Sequence, residues 1–168
     1  GPGLFTGLRV DVATAKAIAF GLRVPMIAVS SLDLLAFPVR FSNRLIVTAI
    51  DARRGEIYYA FYRQVPGGVQ RLGDHQPGTP DDLASELLAT PEEVLLVGDG
   101  AIRYAEDFEG LAKVELVDRA NSHPSAASLV QLAHAQALRE EFGRPDEIEP
   151  IYLRRPDAEI NWSVRDGR

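Results

Sequence analysis

This 168-residue chain has 24 scattered carboxylates and 3 histidines that could do chemistry, and their spacing matters more than their number. The histidines are His75, His123 and His134. An imidazole can move a proton or bind a metal, but a metal site needs several ligands converging. No histidine pair stands at H-x-x-x-H or H-E-x-x-H spacing, so each reads as a surface or packed residue. The chain has no cysteine, which excludes disulfides, thiolate nucleophiles and thiolate metal sites. No G-x-S-x-G elbow presents a serine. Asp81–Asp82 and Glu92–Glu93 read as solvated helix charges. Asp51, at the end of a strand, is the one acid in a site-like place; a catalytic role and a turn role both stay open.

Two glycine turns could hold phosphate, because backbone N–H groups at a helix start attract anions. The first is the opening "GPGLFTG", but it continues into neither G-x-x-x-x-G-K-[ST] nor G-x-G-x-x-G. It reads instead as a turn that lets a helix pack closely on a sheet. The second, "VGDG" at 97–100, follows a strand and reads as a bare strand-to-helix turn. A glycine turn needs something to turn from, so the reading expects an N-terminally incomplete chain. Such a chain would leave sheet edge and helix surface uncovered and be poorly soluble alone.

These residues sit on alternating elements. Residues 4–22 read as a helix, 24–31 as a short buried strand, and "SSLDLLAF" as a second helix opened by an S-x-x-D cap. Proline-broken, polar residues 38–44 mark a lobe boundary. Residues 45–51 and 56–65 are β-branched and aromatic around "ARRG", a hairpin, and 69–72 extend it. A helix at 79–90 starts with proline at its first position. A strand ending at "VGDGA", a short helix at 102–111, a strand "KVELVD" and a helix from Pro124 to Gly143 complete an α/β chain with a mixed sheet. Hydrophobic residues at 46% and charged residues at 25% are globular values, and a net charge of -6 lacks the basic footprint of a nucleic-acid binder. No stretch reaches the length of a membrane span.

The first helix carries the most information. Ala13, Ala17 and Gly21 place small residues on one face; Leu8, Val12, Ala15, Ala19 and Leu22 cover another. A helix apolar on two sides is covered on two sides. Either its own domain or a partner helix supplies the second cover. Arg9 and Lys16, seven apart, share a face as a charged rim.

Three stretches resemble one family. "GPGLFTGLRVDVATAKAIAFGLRVPMIAVSSL", "AIDARRGEIYYAFY" and "PIYLRRPDAE" are similar, in order, to hallmarks of the TsaB (YeaZ) family of tRNA threonylcarbamoyladenosine biosynthesis. Leu4 and Asp11 depart from its usual serine and glycine. The resemblance implies an actin-like ATPase (ASKHA, ribonuclease H-like) fold of two lobes, with the first strands of the N-terminal lobe preceding Gly1. Residues 1–43 would be the helical remainder of that lobe, 44–150 the second α/β lobe and 151–168 a tail. The catalytic relative, TsaD, has V-N-H-L-E-G-H where this chain has V-S-S-L-D-L-L. Ser31 and Leu35 stand where its metal-binding histidines would be, and leucine cannot ligate.

What the resemblance implies is a non-catalytic, cytoplasmic scaffold subunit. It would pair with a TsaD-like paralogue, let a TsaE-like ATPase engage, meet tRNA only through the complex and stay off membranes. A homodimer through the same helix is also open. The chain itself would hold no cofactor or metal, while the complex uses ATP and threonylcarbamoyl-adenylate. Phe5, Arg9, Val12, Ala13 and Lys16 are the expected partner contacts, so Val12→Glu would abolish co-purification with the fold intact. The alternatives are a metal-dependent glycoprotease-like peptidase or nucleotide hydrolase of the same superfamily, or an interaction module outside tRNA modification.

Overall fold

The computed structural model describes residue 1 and residues 5–152, with no side chain for Phe5. Its frame is a five-stranded mixed sheet in the order β3-β2-β1-β4-β5. The strands are β1 (Leu45–Arg53), β2 (Glu56–Val65), β3 (Gly68–Gly78), β4 (Val94–Val97) and β5 (Val114–Leu116). The first three form an antiparallel meander, and β4 and β5 add in parallel to β1. The helices are α1 (Phe5–Leu22), α2 (Ser31–Ala36), α3 (Pro80–Ala89), α4 (Asp99–Arg103) and α5 (Ala126–Leu138).

Alternation along β1 divides the core. Leu45, Val47 and Ala49 face one side, where they pack with Leu83 and Leu87 of α3 and Ala101 of α4. Ile46 and Ala52 face the other, against Leu32, Leu35 and Ala36 of α2. A central strand covered on both faces is buried along its length, and β1 is so from Leu45 to Ala52, with Ile50 half-buried. The hairpin runs two residues longer than its apolar pattern. Its loop is Arg54–Gly55, at φ 57° and 78°, with Arg53 also left-handed at 68° where the register slips. Two positive φ values in a two-residue loop give the twist that suits an antiparallel pair.

The polar edge strand β3 extends to Gly78, well past the 69–72 of the sequence pattern. Edge strands need not alternate, because one side faces water. The next helix begins as its sequence demands: Thr79 and Asp82 cap each other's amides. Thr79→Ala is expected to cost roughly 1 kcal/mol of stability, measured by urea unfolding.

Three expectations change. Residues 24–30 are not a buried strand; they make one bridge, Met26 with Gly143, and Val24 and Pro25 are exposed. A β-rich composition becomes a strand only where a neighbour pairs with it. The short helix starts at Asp99, not at residue 102, and breaks at Tyr104. Finally, α5 stops at Leu138, because Glu140 turns left-handed at φ 58° and swings Gly143 onto Met26. No helix among the described residues is long and apolar enough to cross a membrane.

Candidate functional site

Helix α1 presents two unlike faces. Leu8, Val12, Lys16 and Ala19 form its inward side; Ala19 is buried and the others are half-buried. Residues 143–152 run along it. The Lys16 ammonium donates to the Ile148 carbonyl at 2.9 Å, and Arg9 Nε donates to the Tyr152 hydroxyl at 2.9 Å with its guanidinium over the same ring. The shared face of Arg9 and Lys16 is therefore real, and the chain's own C-terminal segment occupies it.

The opposite face is open. Val10, Ala13, Thr14, Ala17, Ile18 and Gly21 are all exposed, Val10 at 60% and Ile18 at 58%. Of the five expected contact residues, Ala13 lies on this face. Arg9 is exposed but turned to Tyr152, Val12 and Lys16 lie inward, and the side chain of Phe5 lies outside the described residues. So do residues 2–4 of the opening turn and, beyond Tyr152, the tail motif.

Asp51 sits at the end of β1 with its side chain 5% exposed. Its Oδ1 accepts from the Arg53 amide at 2.9 Å and the Tyr104 hydroxyl at 3.2 Å. Its Oδ2 faces the guanidiniums of Arg53 at 3.2 Å and Arg103 at 3.5 Å. A carboxylate so engaged holds the hairpin turn to α4 and the Tyr104 hydroxyl. The turn role, open in the sequence, is the one observed.

The VGDG turn is filled by protein. A Cβ on Gly98 would lie 2.1 Å from the Ala49 carbonyl oxygen, and one on Gly100 would lie 2.9 Å from the Ile50 carbonyl carbon. These glycines let α4 start against the backbone of β1, and Asp99 caps that contact by accepting from the Asp51 amide at 3.2 Å. Leu35 also touches this point, 3.2 Å from where the Gly98 Cβ would be. It is a core residue at 1% exposure, and Ser31 donates its amide to the Gly1 carbonyl. Among the described residues no group of three or more His, Asp or Glu could hold a metal. His123 and His134 are exposed, as expected for surface residues.

One cluster was invisible in the sequence. Ser30 caps α2 by accepting from the Leu32 amide at 3.2 Å, but Asp33 does not complete the box. It accepts instead from the Tyr62 hydroxyl at 2.7 Å and Arg71 Nη1 at 3.3 Å. His75 Nε2 lies 2.9 Å from Ser30 Oγ and 2.8 Å from Arg71 Nη1. Burial opposes the Asp33 charge, but the contacts with His75 and Tyr62 and the charge of Arg71 hold its pKa below the usual carboxylate value. Burial, with the charge of Asp33, pushes the Tyr62 phenol upward. Ser30 and His75 are 45 residues apart, and no sequence motif spans that distance.

The family model described as "TsaD: tRNA N6-adenosine threonylcarbamoyltransferase" matches residues 1–162. The tRNA threonylcarbamoyladenosine biosynthesis protein TsaB of Haemophilus influenzae is 31% identical, covering 100% of this chain and 72% of that protein. TsaB of Bacillus subtilis is 30% identical, covering 96% and 70%. Among solved structures, YeaZ from Pseudomonas aeruginosa superposes with a TM-score of 0.75 at 29% identity, over 91% of this chain and 71% of that one. Another, described as an uncharacterized protein with similarity to peptidase YEAZ from the same organism, gives 0.76. The mixed sheet and these neighbours agree on the actin-like ASKHA fold that the resemblance implied. On nearly full-length similarity to a family model, to curated relatives and to solved structures, the chain belongs to the TsaB (YeaZ) family.

Proposed function

We propose that this chain is a non-catalytic subunit of the cytoplasmic machinery that makes N6-threonylcarbamoyladenosine in tRNA. It pairs with a TsaD-like transferase through the open face of α1 and lets a TsaE-like ATPase engage. ATP and threonylcarbamoyl-adenylate are used by the complex, and tRNA meets this subunit only through it. A homodimer uses the same face. In this reading residues 44–150 are the second actin-like lobe, residues 1–43 belong to the first and 151–168 are the tail. The observation that carries the reading is the exposed face around Ala13, Ala17 and Gly21, on a chain whose relatives are TsaB proteins. Small residues let a second helix approach closely.

Two features support a role without chemistry of its own. Leu35, where the catalytic paralogue resembles a histidine ligand, is committed to the core. Asp51 is saturated by a turn amide, a phenol and two guanidiniums.

The test is reconstitution of tRNA modification from purified TsaD-like and TsaE-like partners with threonylcarbamoyl-adenylate. Product is expected only when this chain is present with its partners, and none from the chain alone. Modification that proceeds equally without it would leave a plain interaction module. Modification by the chain alone would make it the enzyme.

The peptidase reading draws on the description of one structural neighbour and on the Ser30–His75 contact of 2.9 Å. A serine nucleophile needs an imidazole that accepts on one nitrogen and is oriented through the other. Here Ser30, Arg71 and Asp33 all approach the same Nε2. Ser30 Oγ is also engaged by the α2 cap. Hydrolysis of a denatured protein substrate, abolished by Ser30→Ala, is the result that would restore this reading.

A further inference from the structure

Helix α1 ends in a left-handed cap that carries an arginine. Arg23 sits at φ 55° and donates its amide to the Phe20 carbonyl, and the Val24 amide closes on the Ala19 carbonyl. Glycine is the usual residue at such a position, because a Cβ there is strained. The turn lays Phe20, Val24 and Pro25 beside Phe142 and Pro145 of the segment that follows α5, around a groove of about 630 Å³. Its rings are uncovered: Phe20 is 81% and Phe142 49% exposed. Apolar surface gathered in a concavity of this size is the surface that ligands and chain segments cover.

The rim is charged. Arg144 is bound to Asp146, whereas Arg23 forms no ion pair among the described residues. The chain itself supplies a segment that matches both features. Beyond Tyr152 it continues to Arg168, and its one tryptophan, Trp162, lies in the stretch "DAEINWSV". Ile160, Trp162 and Val164 alternate with Asn161 and Ser163, the pattern of an extended segment with one apolar side. Asp157 and Glu159 precede that side, and Pro156–Asp157 is turn chemistry. The reach is sufficient. Tyr152 is held at Arg9, and from Arg9 to Phe20 the helix rises about 16 Å. From Tyr152 to Trp162 an extended chain spans about 33 Å, so it can turn back and still arrive.

We propose that the tail of this chain docks in cis: it turns back at Pro156 and lays Ile160, Trp162 and Val164 into the groove, with the indole between Phe20 and Phe142 and with Asp157 and Glu159 beside Arg23. An indole is the side chain that gains most from two facing phenyl rings, because it buries the largest apolar area against them. The acids fix the direction in which the tail enters more than they add affinity, since an exposed ion pair contributes little. Arg23 in a cap suited to glycine then has a reason: it sets a guanidinium at the mouth of the groove. Neither Ala13 nor Ala17 lines the groove, so the docking holds whether or not the open face of α1 meets a partner.

Trp162 is its own probe, because the chain has a single tryptophan. Excited beyond the absorption of the tyrosines, the folded full chain is expected to emit to the blue of free tryptophan and to resist quenching by acrylamide. Both properties are expected to vanish in urea and to be independent of protein concentration. Phe20→Glu, at an exposed position, is expected to return the emission to that of a solvated indole while the far-ultraviolet circular dichroism is kept. Ile18→Glu, on the open face of α1, is expected to leave it blue-shifted. A solvated indole in the folded parent would overturn the proposal. So would a blue shift that Phe20→Glu leaves in place, that Ile18→Glu abolishes, or that fades on dilution, the last being docking into a second copy. Should Phe20→Glu fail to fold, nuclear Overhauser contacts between the indole and the Phe142 ring in the parent decide: their presence supports the docking and their absence overturns it.

Discussion

Gly98→Ala is expected to lower stability by about 3 kcal/mol or more, among the largest effects of any single substitution here. Two penalties coincide. The backbone at φ 119° is one that side-chain-bearing residues rarely adopt, and the added Cβ would lie 2.1 Å from the Ala49 carbonyl oxygen. That oxygen belongs to the central strand, which is pinned on both sides by β2 and β4, so it cannot retreat cheaply. For a domain of this size the loss corresponds to a fall in Tm of roughly 6–12 °C. Gly73→Ala is the control: φ is also positive at 85°, but a Cβ there meets open space, so about 1 kcal/mol is expected. Urea unfolding of both variants decides. A Gly98→Ala chain within 1 kcal/mol of the parent would mean that the close approach to β1 does not hold the turn.

Ala17→Glu is expected to leave the fold intact and remove partner binding. Ala17 is exposed, and surface substitutions on a helix ordinarily change stability by about 0.5 kcal/mol or less. In a helix-to-helix interface the same glutamate would be buried without a counter-charge, at a cost of about 2 kcal/mol or more, roughly 30-fold in affinity. Co-purification and titration against a TsaD-like partner measure it. The structure also explains why Val12→Glu is the weaker test. Val12 is half-buried on the inward side between Arg9 and Lys16, so a charge there disturbs the chain's own packing as well. Full affinity of Ala17→Glu, with normal unfolding, would place the partner elsewhere.

The sequence carried much of the frame because local rules agreed with tertiary needs. The β1–β2 hairpin, the helix opened by Pro80 and the two-faced α1 were legible from apolar period, the proline position and turn chemistry. Where the reading missed, a non-local partner decided. Residues 24–30 have strand composition but find a single bridge, and the stop of α5 at Leu138 answers to Met26, far away in sequence. The cluster around His75 was illegible for the same reason: its members come from the start of α2, from β2 and from β3, and only the folded register of the meander brings them together. Asp51 was found by its place at a strand end, but sequence could not tell that two arginines and a tyrosine would saturate it.

The strap of residues 143–152 across α1 has a kinetic meaning. Its contacts join Lys16 to Ile148 and Arg9 to Tyr152, separations of 132 and 143 residues. Closing loops of that length costs entropy before any contact repays it, so these contacts belong to the end of folding. During synthesis the inward side of α1 stays uncovered until the last described residues have left the ribosome. The helix proposed to meet a partner is thus made before β1–β5 and locked in place after them.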